Sequence, residues 1–252
     1  MRFSYSAIWE DTVRLLRAHA SLAVALAGVF LFLPSLLVSY LLPMPQTTDA
    51  NEMIRQFGEY FSNNAGWIML SGICGMAGTL SILMLVFRSP GIAVGGAIAA
   101  AVALLPFYFV ANLIAFIPIM LGVLLFIVPG LYLLGRFLPI APVMVAEGQR
   151  NPLSVAGRSW ALTRRRGWAV VGLFLLVFVA GFILSSVVAG IIVVILRILV
   201  SGDLARLLGL IVSTAGSTIL QVVLIFLYAA IYRALAARAD EPAASQPGSS
   251  GI

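Results

Sequence analysis

From Gly66 to Phe87 the chain runs without a single charged side chain, and no other feature limits the possible folds so sharply. A continuous apolar stretch of about 20 residues, rising 1.5 Å per residue, crosses the ~30 Å hydrocarbon layer of a bilayer as an α-helix. In lipid the backbone has no water to bond to, so it must satisfy itself within a helix or a closed barrel. The run is unbroken and shows no alternation of apolar and polar positions, which selects the helix. Comparable uncharged runs occupy Ser21–Leu42, Pro106–Val128, Trp168–Leu196 and Leu207–Ile231. Composition agrees, because a chain that is 62% hydrophobic and 10% charged, with mean hydropathy +1.11, has too few charges to coat a water-facing surface. The fold class is therefore all-α, a polytopic transmembrane helix bundle of about six spans.

The remaining segments are placed around these runs. Residues 1–20 interleave Tyr5, Ile8, Trp9, Val13, Leu15 and Leu16 with Glu10, Asp11, Arg14 and Arg17, the pattern of an amphipathic helix lying in the interface, with Glu10 spaced to pair with Arg14. The apolar run that follows is too long for a secretory signal and lacks a small-x-small cleavage site, so retention is expected. Pro34 predicts a kink in span one. Pro43 to Asn64, carrying Asp49, Glu52, Arg55 and Glu59, reads as a loop with a short amphipathic turn, and span two stops at Arg88-Ser89-Pro90. Between Gly91 and Ala146 the punctuation by Pro106, Pro118, Pro129-Gly130, Pro139 and Pro142 suggests three pieces. These are a shallow or interfacial helix over 91–105, span three over 106–128, and a short span four over 131–146 that is broken or partly re-entrant. Asn151-Pro152 is a helix start, a capping side chain followed by a proline that sacrifices no helical bond. A cytosolic-face helix should follow and end in Arg164, Arg165 and Arg166. Spans five (168–196) and six (207–231) are joined by a short turn region over 197–206, and 236–252, rich in Ala, Ser, Pro and Gly, reads as a disordered tail. The expected organisation is an interfacial helix (1–20), a six-span membrane domain (21–235) and that tail.

Orientation follows from arginine, because basic loops stay in the cytoplasm. All fifteen basic residues are Arg, which points to a GC-rich bacterial genome more than to chemistry. With both termini inside, Arg2, Arg14, Arg17, Arg88, Arg150, Arg158, Arg164–Arg166, Arg233 and Arg238 fall on the cytoplasmic side. Arg55, Arg136, Arg197 and Arg206 fall outside or near it. Adding or dropping one crossing would strand either the Arg164 cluster or Arg233 and Arg238 on the wrong side. The location expected is the bacterial inner membrane. The net charge of +6 is strung between apolar runs instead of gathered on one soluble face, so anionic lipid headgroups at the cytoplasmic face, not nucleic acid, are the expected partner, alongside a membrane protein partner.

Few residues carry chemistry. One Cys and one His leave no disulfide framework and exclude most zinc chemistry within one chain, and no phosphate-binding loop, metal-binding His-Glu helix or spaced Ser/His/Asp set is present. No cofactor and no catalytic residue is assigned, and the chain reads as non-enzymatic. Gly181, Ser185 and Ala189 in span five, and Gly209, Ser213, Ser217 and Gln221 in span six, recur at four-residue intervals. Each set makes one helix face that serves either close helix packing or, with Asn112, as a polar intramembrane lining. Arg136 and Glu147 flank span four, about 16 Å apart along a continuous helix. Two readings stand. Arg136 snorkels to the outer interface while Glu147 stays at the inner one, or Glu147 fixes the following helix through Arg158. Arg164–Arg166 beside Trp168 anchor topology and attract anionic headgroups, at ~1 kcal/mol per Arg.

Val128-Pro129-Gly130, Gly135-Arg136, Pro142-Val143, Glu147, Ala156, Arg158-Ser159-Trp160 and Leu162-Thr163 together resemble the signature of the membrane domain attached to some bacterial glycerophosphodiester phosphodiesterases, and of related stand-alone inner-membrane proteins. The motif-bearing part covers about residues 90–175. The resemblance implies a helical membrane module. It does not bring the hydrolase, whose separate soluble barrel needs histidines and clustered carboxylates around a metal. Here His19 is the sole histidine, and no soluble segment exceeds some twenty residues. The functional expectation is a non-catalytic module that binds or organises lipid or a membrane partner, with Arg136, Glu147, Arg158, Ser159, Trp160, Thr163 and Arg164–Arg166 as candidate contacts. The competing expectation is a small transporter or channel subunit moving a lipid or small solute past Asn112, Ser213, Ser217 and Gln221.

Overall fold

A computed structural model describes residues 4–45, 47–88, 93–200 and 202–239. Among these the chain is helical throughout, with no strand: α1 (Tyr5–Ala27), a π-helical turn (Gly28–Phe32), α2 (Leu33–Leu41), α3 (Ala50–Arg88), α4 (Val94–Leu125), α5 (Ile127–Phe137), α6 (Ile140–Glu147), α7 (Pro152–Thr163), α8 (Gly167–Leu199) and α9 (Asp203–Ala239). Six of the resulting rods are long and apolar enough to cross a membrane: Tyr5–Leu41, Ala50–Arg88, Val94–Leu125, Ile127–Glu147, Gly167–Leu199 and Asp203–Ala239. The protein is a multi-pass helical membrane protein.

Several boundaries expected from the sequence move, and each for a physical reason. The N-terminal amphipathic segment is not a separate interfacial helix but the first turns of span one. Neither Gly nor Pro occurs between Tyr5 and Ala27 to stop the ladder, and the stripe Ile8, Thr12, Leu15, Ala23, Leu26 and Ala27 is buried within the bundle. Arg14 pairs with Asp11 and not with Glu10. Pro34 lacks the amide hydrogen a helix interior needs, and its effect appears one turn earlier as the π-helical turn, where the Leu33 amide donates to the Gly28 carbonyl. The polar segment 50–64 is helical and continuous with span two. Asp49 accepts from the Glu52 amide at 2.9 Å, which supplies the cap, and Arg55 pairs with both Glu52 (2.6 Å) and Glu59 (2.7 Å) along one face.

The prolines of the middle section interrupt less than expected. Residues 94–125 form one helix through Pro106 and Pro118, since in an apolar medium each backbone group released by a break would lose its only partner. The chain turns at Phe126, which is extended (φ −157°, ψ 142°), and not at Pro129-Gly130. Pro129 lies in the first turn of α5, where no helical amide bond is lost. Gly130 is instead a packing residue, because a Cβ there would fall 2.6 Å from the Val123 backbone nitrogen, and one on Gly122 would fall 2.9 Å from Gly130 Cα. Span four is broken at Leu138-Pro139, between α5 and α6. α6 ends on Gly148 at φ +64°, and Gly202, at φ +73°, makes the tight α8–α9 turn, far shorter than the connection expected over 197–206. Both positions require the left-handed backbone that glycine adopts without strain. Residues 236–239, expected in the tail, are the last turn of α9. The rest of that tail, Arg2, and the Ser89-Pro90 stop lie outside the described residues.

α9 is the spine of the bundle. Its segment Leu224–Ile231 is almost fully buried, and it packs against α1, α3 and α8. The first part of α1 and the last part of α9 meet, with Arg233 Nη1 3.4 Å from Asp11 Oδ1. The end of α3 joins them, the Phe87 and Tyr232 rings standing edge to face at 5.5 Å. One end of the bundle therefore gathers the start of α1, the end of α9, the α3 and α6 C-termini and α7. On α8 the residues beyond Leu173 are exposed or half-buried, apart from the contact with α9.

Candidate functional site

The break in span four frees backbone groups that the helix would otherwise satisfy. Pro139 and Pro142 bring no amide hydrogen to the ladder. The Arg136 carbonyl at this point accepts the Ser159 hydroxyl at 2.8 Å, and the Thr163 hydroxyl lies at 3.3 Å. Thr163 has one proton, and its shorter bond is to the Ser159 carbonyl at 2.8 Å, so Ser159 is the main clamp. Both hydroxyls are fully buried. They stand on α7, whose start is built as the sequence predicts, with Asn151 Oδ1 accepting from the amides of Leu153 (3.1 Å) and Ser154 (3.4 Å).

The next residue back on α7 holds the other half of the broken span. Arg158 Nε donates to Glu147 Oε1 at 2.9 Å, with side chains 36% and 20% exposed. The same carboxylate accepts the Tyr232 hydroxyl (3.2 Å) and, through Oε2, the Gln149 amide (2.8 Å). α7 is thus a strut across the break, Ser159 gripping the end of α5 and Arg158 the end of α6, while Tyr232 ties the end of α6 to α9. Of the two readings open for Arg136 and Glu147, the structure contains the Glu147–Arg158 ion pair. Tyr232 and Gln149 were not foreseen, since nothing in spacing links Tyr232 to a carboxylate 85 positions away.

Arg136 does not snorkel to the opposite interface. It is 3% exposed, and its guanidinium carbon lies 4.0 Å from the Trp160 ring centroid and 5.5 Å from that of Tyr132. It belongs to the end of the bundle that carries α7, which corrects the placement obtained by treating span four as one straight rod. Nε and Nη1 are buried and have no acceptor. Burying an unpaired ion costs several kcal/mol, and ring faces return ~2 kcal/mol when desolvated, so the balance is unfavourable as the chain stands. Tyr132, one turn before Arg136, could have been read from its i,i+4 spacing. α5 is pressed onto the start of α8 here. A Cβ on Gly135 would lie 2.9 Å from the Gly167 carbonyl oxygen, and one on Gly167 would lie 2.9 Å from Tyr132 and 3.2 Å from Arg136 Cδ.

Arg164 and Arg165 are exposed and Arg166 half-buried in the turn between α7 and α8. Arg88 reaches the same corner, its Nη2 lying 3.7 Å from the position of a Cβ on Gly148.

The proposed intramembrane face divides. The α8 stripe does face α9, but Ser185 meets Gly216 and Gly181 meets Leu220, a Cβ on Gly181 falling 2.5 Å from Leu220 Cδ1, while Gly209 lies against Val193. Ser213 and Ser217 are exposed, and Ser217 bonds back to its own helix at the Thr214 carbonyl (3.0 Å). Asn112 likewise bonds the Tyr108 carbonyl at 2.8 Å. Gln221, exposed as well, lines a cavity of about 350 Å³ with Ser35, Ser71, Thr79 and Tyr108. A second, apolar groove of about 950 Å³ runs between α8 and α9 and ends at Tyr5 and Trp9 of α1. Among the described residues no three His, Cys, Asp or Glu side chains come together as metal ligands would. Comparison of the chain with protein-family models, curated proteins and solved structures finds no match.

Proposed function

We propose that this chain is a non-catalytic membrane module that binds anionic lipid at the cytoplasmic face of a bacterial inner membrane. The observation that carries the reading is the strut. α7 is clipped to both halves of a broken span by Arg158–Glu147 and Ser159–Arg136, and so presents Arg164–Arg166 at a set position beside the first turn of α8. Positive charge at this end, with Arg88, Arg150 and Arg233 exposed nearby, favours the cytoplasmic leaflet and attracts its headgroups. The apolar groove between α8 and α9 accommodates acyl chains. Of the residues that resemble the phosphodiesterase membrane domain, Arg136, Glu147, Arg158, Ser159 and Thr163 meet in the strut, and this draws the reading toward that module. The test is purification in a mild detergent with mass spectrometry of retained lipid. Replacing Arg164, Arg165 and Arg166 by Gln should cut anionic lipid recovery several-fold while leaving zwitterionic lipid unchanged; equal recovery from well-folded protein would overturn the reading.

A second reading, a small transporter subunit, draws on the polar cavity at Gln221 and the broken span, a device that exposes backbone to a substrate. Proteoliposome uptake of small neutral solutes that is lost in Gln221→Leu would favour it; the absence of uptake by the wild type would remove it.

A further inference from the structure

Arg136 is the buried group whose surroundings leave most undone. Its Nε and Nη1 have no acceptor. The carboxylate of this unit, Glu147, is already occupied by Arg158, Tyr232 and Gln149. The rings of Tyr132 and Trp160 meet the positive charge but offer no lone pair to the N–H groups. α8 begins against this side chain, Gly167 being the residue on which Tyr132 and Arg136 Cδ rest. No side chain caps that helix, so the amides of its first turn are donors without helical acceptors, at the positive end of the helix dipole. Arg164 and Arg165 stand exposed in the turn just before it. The unpaired guanidinium and the uncapped start of α8 thus lie at one corner, joined through the contact of Arg136 Cδ with Gly167, and two exposed arginines stand beside it.

We infer that this corner binds a phosphate group, with Arg136 and the first-turn amides of α8 as its direct donors, Arg164 and Arg165 as its outer charges, and an anionic lipid headgroup as its source. A phosphate has the acceptor oxygens and the negative charge that the corner lacks. Trp160 and Trp168 flank Arg136 and Tyr132 and are 39% and 55% exposed, Trp160 lying 4.0 Å from the guanidinium carbon and Trp168 packing on Tyr132 at 5.4 Å. Because the Trp160 ring covers the guanidinium at 4.0 Å, a phosphate that reaches Arg136 must displace it, so binding carries its own optical report. The inference rests on the lipid-binding reading and narrows it to one residue.

The experiment uses the full chain with Trp9→Phe and Trp67→Phe, which leaves Trp160 and Trp168 as the only indoles of the four. Tryptophan emission is followed while inorganic phosphate is titrated into protein in neutral detergent, and while phosphatidic acid is titrated into phosphatidylcholine nanodiscs, each against chloride at equal ionic strength. A saturable change with phosphatidic acid is expected. Arg136→Gln should abolish it, and Arg136→Lys, which keeps the charge but loses the planar donor array, should raise the midpoint about tenfold. Saturation by inorganic phosphate but not by lipid would leave the corner a phosphate site and overturn its lipid source together with the proposed function. Loss of lipid from the Arg164–Arg166 variant with full retention in both Arg136 variants would overturn the inference and leave the proposed function standing. Failure of both probes to saturate on wild-type protein would overturn the site itself. Should Arg136→Gln misfold, an unchanged midpoint in well-folded Arg136→Lys protein overturns the inference equally.

Discussion

Removing the Glu147–Arg158 pair tests whether α7 is held as a strut or merely lies against the bundle. Exposed ion pairs couple by ~0.2–1 kcal/mol, whereas stripping one partner from a fully buried pair costs ~3–5 kcal/mol. Here the side chains are 20% and 36% exposed, and the carboxylate takes two further donors, from Tyr232 and Gln149. The pair therefore falls between the limits. A double-mutant cycle with Glu147→Gln and Arg158→Met should give a coupling of about 1–2 kcal/mol, and Glu147→Gln alone should cost somewhat more because all three donors lose a charged acceptor. Unfolding would be followed in detergent by circular dichroism. Hydrogen exchange of the α7 amides would report whether the loss is local, and protection should fall first in α7 and at the end of α9 near Tyr232. A coupling below about 0.3 kcal/mol, within the additivity error of such cycles, with α7 exchange unchanged, would refute the argument.

Other consequences can be measured in the same preparations. Ser159→Ala removes the main hydroxyl donor to the Arg136 carbonyl and should destabilise by ~1–3 kcal/mol, with Thr163→Val costing less because Thr163 bonds mainly within its own helix; equal losses would contradict that ranking. Gly130→Ala should destabilise by ~1–3 kcal/mol, since backbone atoms at 2.6 and 2.9 Å cannot step aside. Gly181→Ala, which meets the flexible end of Leu220 at 2.5 Å, should be near neutral in thermal melts. Glu52, outside the membrane at the start of α3, has its carboxyl held down from 4.5 to about 2, first by the Arg55 hydrogen bond and then by that from Gln56. Its contribution to the first turns of α3 is thus present above pH 4.5 and lost as the pH falls toward 2. A carboxyl titration by NMR near 4.5, unaffected by Arg55→Gln, would contradict this.

The Gln221 cavity shows how little a residue's own spacing says about its surroundings. Ser213, Ser217 and Gln221 share a four-residue period and all three are exposed, yet only Gln221 borders the cavity with Ser35, Ser71, Thr79 and Tyr108, because the α8 stripe of Gly181 and Ser185 packs one step round the helix, against Leu220 and Gly216. The Asn151-Pro152 start, by contrast, was legible in the sequence, since capping acts between near neighbours, whereas the Glu147–Arg158 pair was one of two readings and was decided by the fold.

Length and polarity of the apolar runs determined by themselves that this chain crosses a membrane as helices, because hydrocarbon offers no partner to an exposed backbone and no hydration to a charge. Only the tertiary structure decided where the helices end, since Pro106 and Pro118 sit inside α4 while the chain turns at Phe126. It also decided that Arg136 and Glu147, at opposite ends of one run, are both held by adjacent residues of α7. Hydrogen bonds across a broken helix depend on which segment folds back over the break, and no local pattern encodes that.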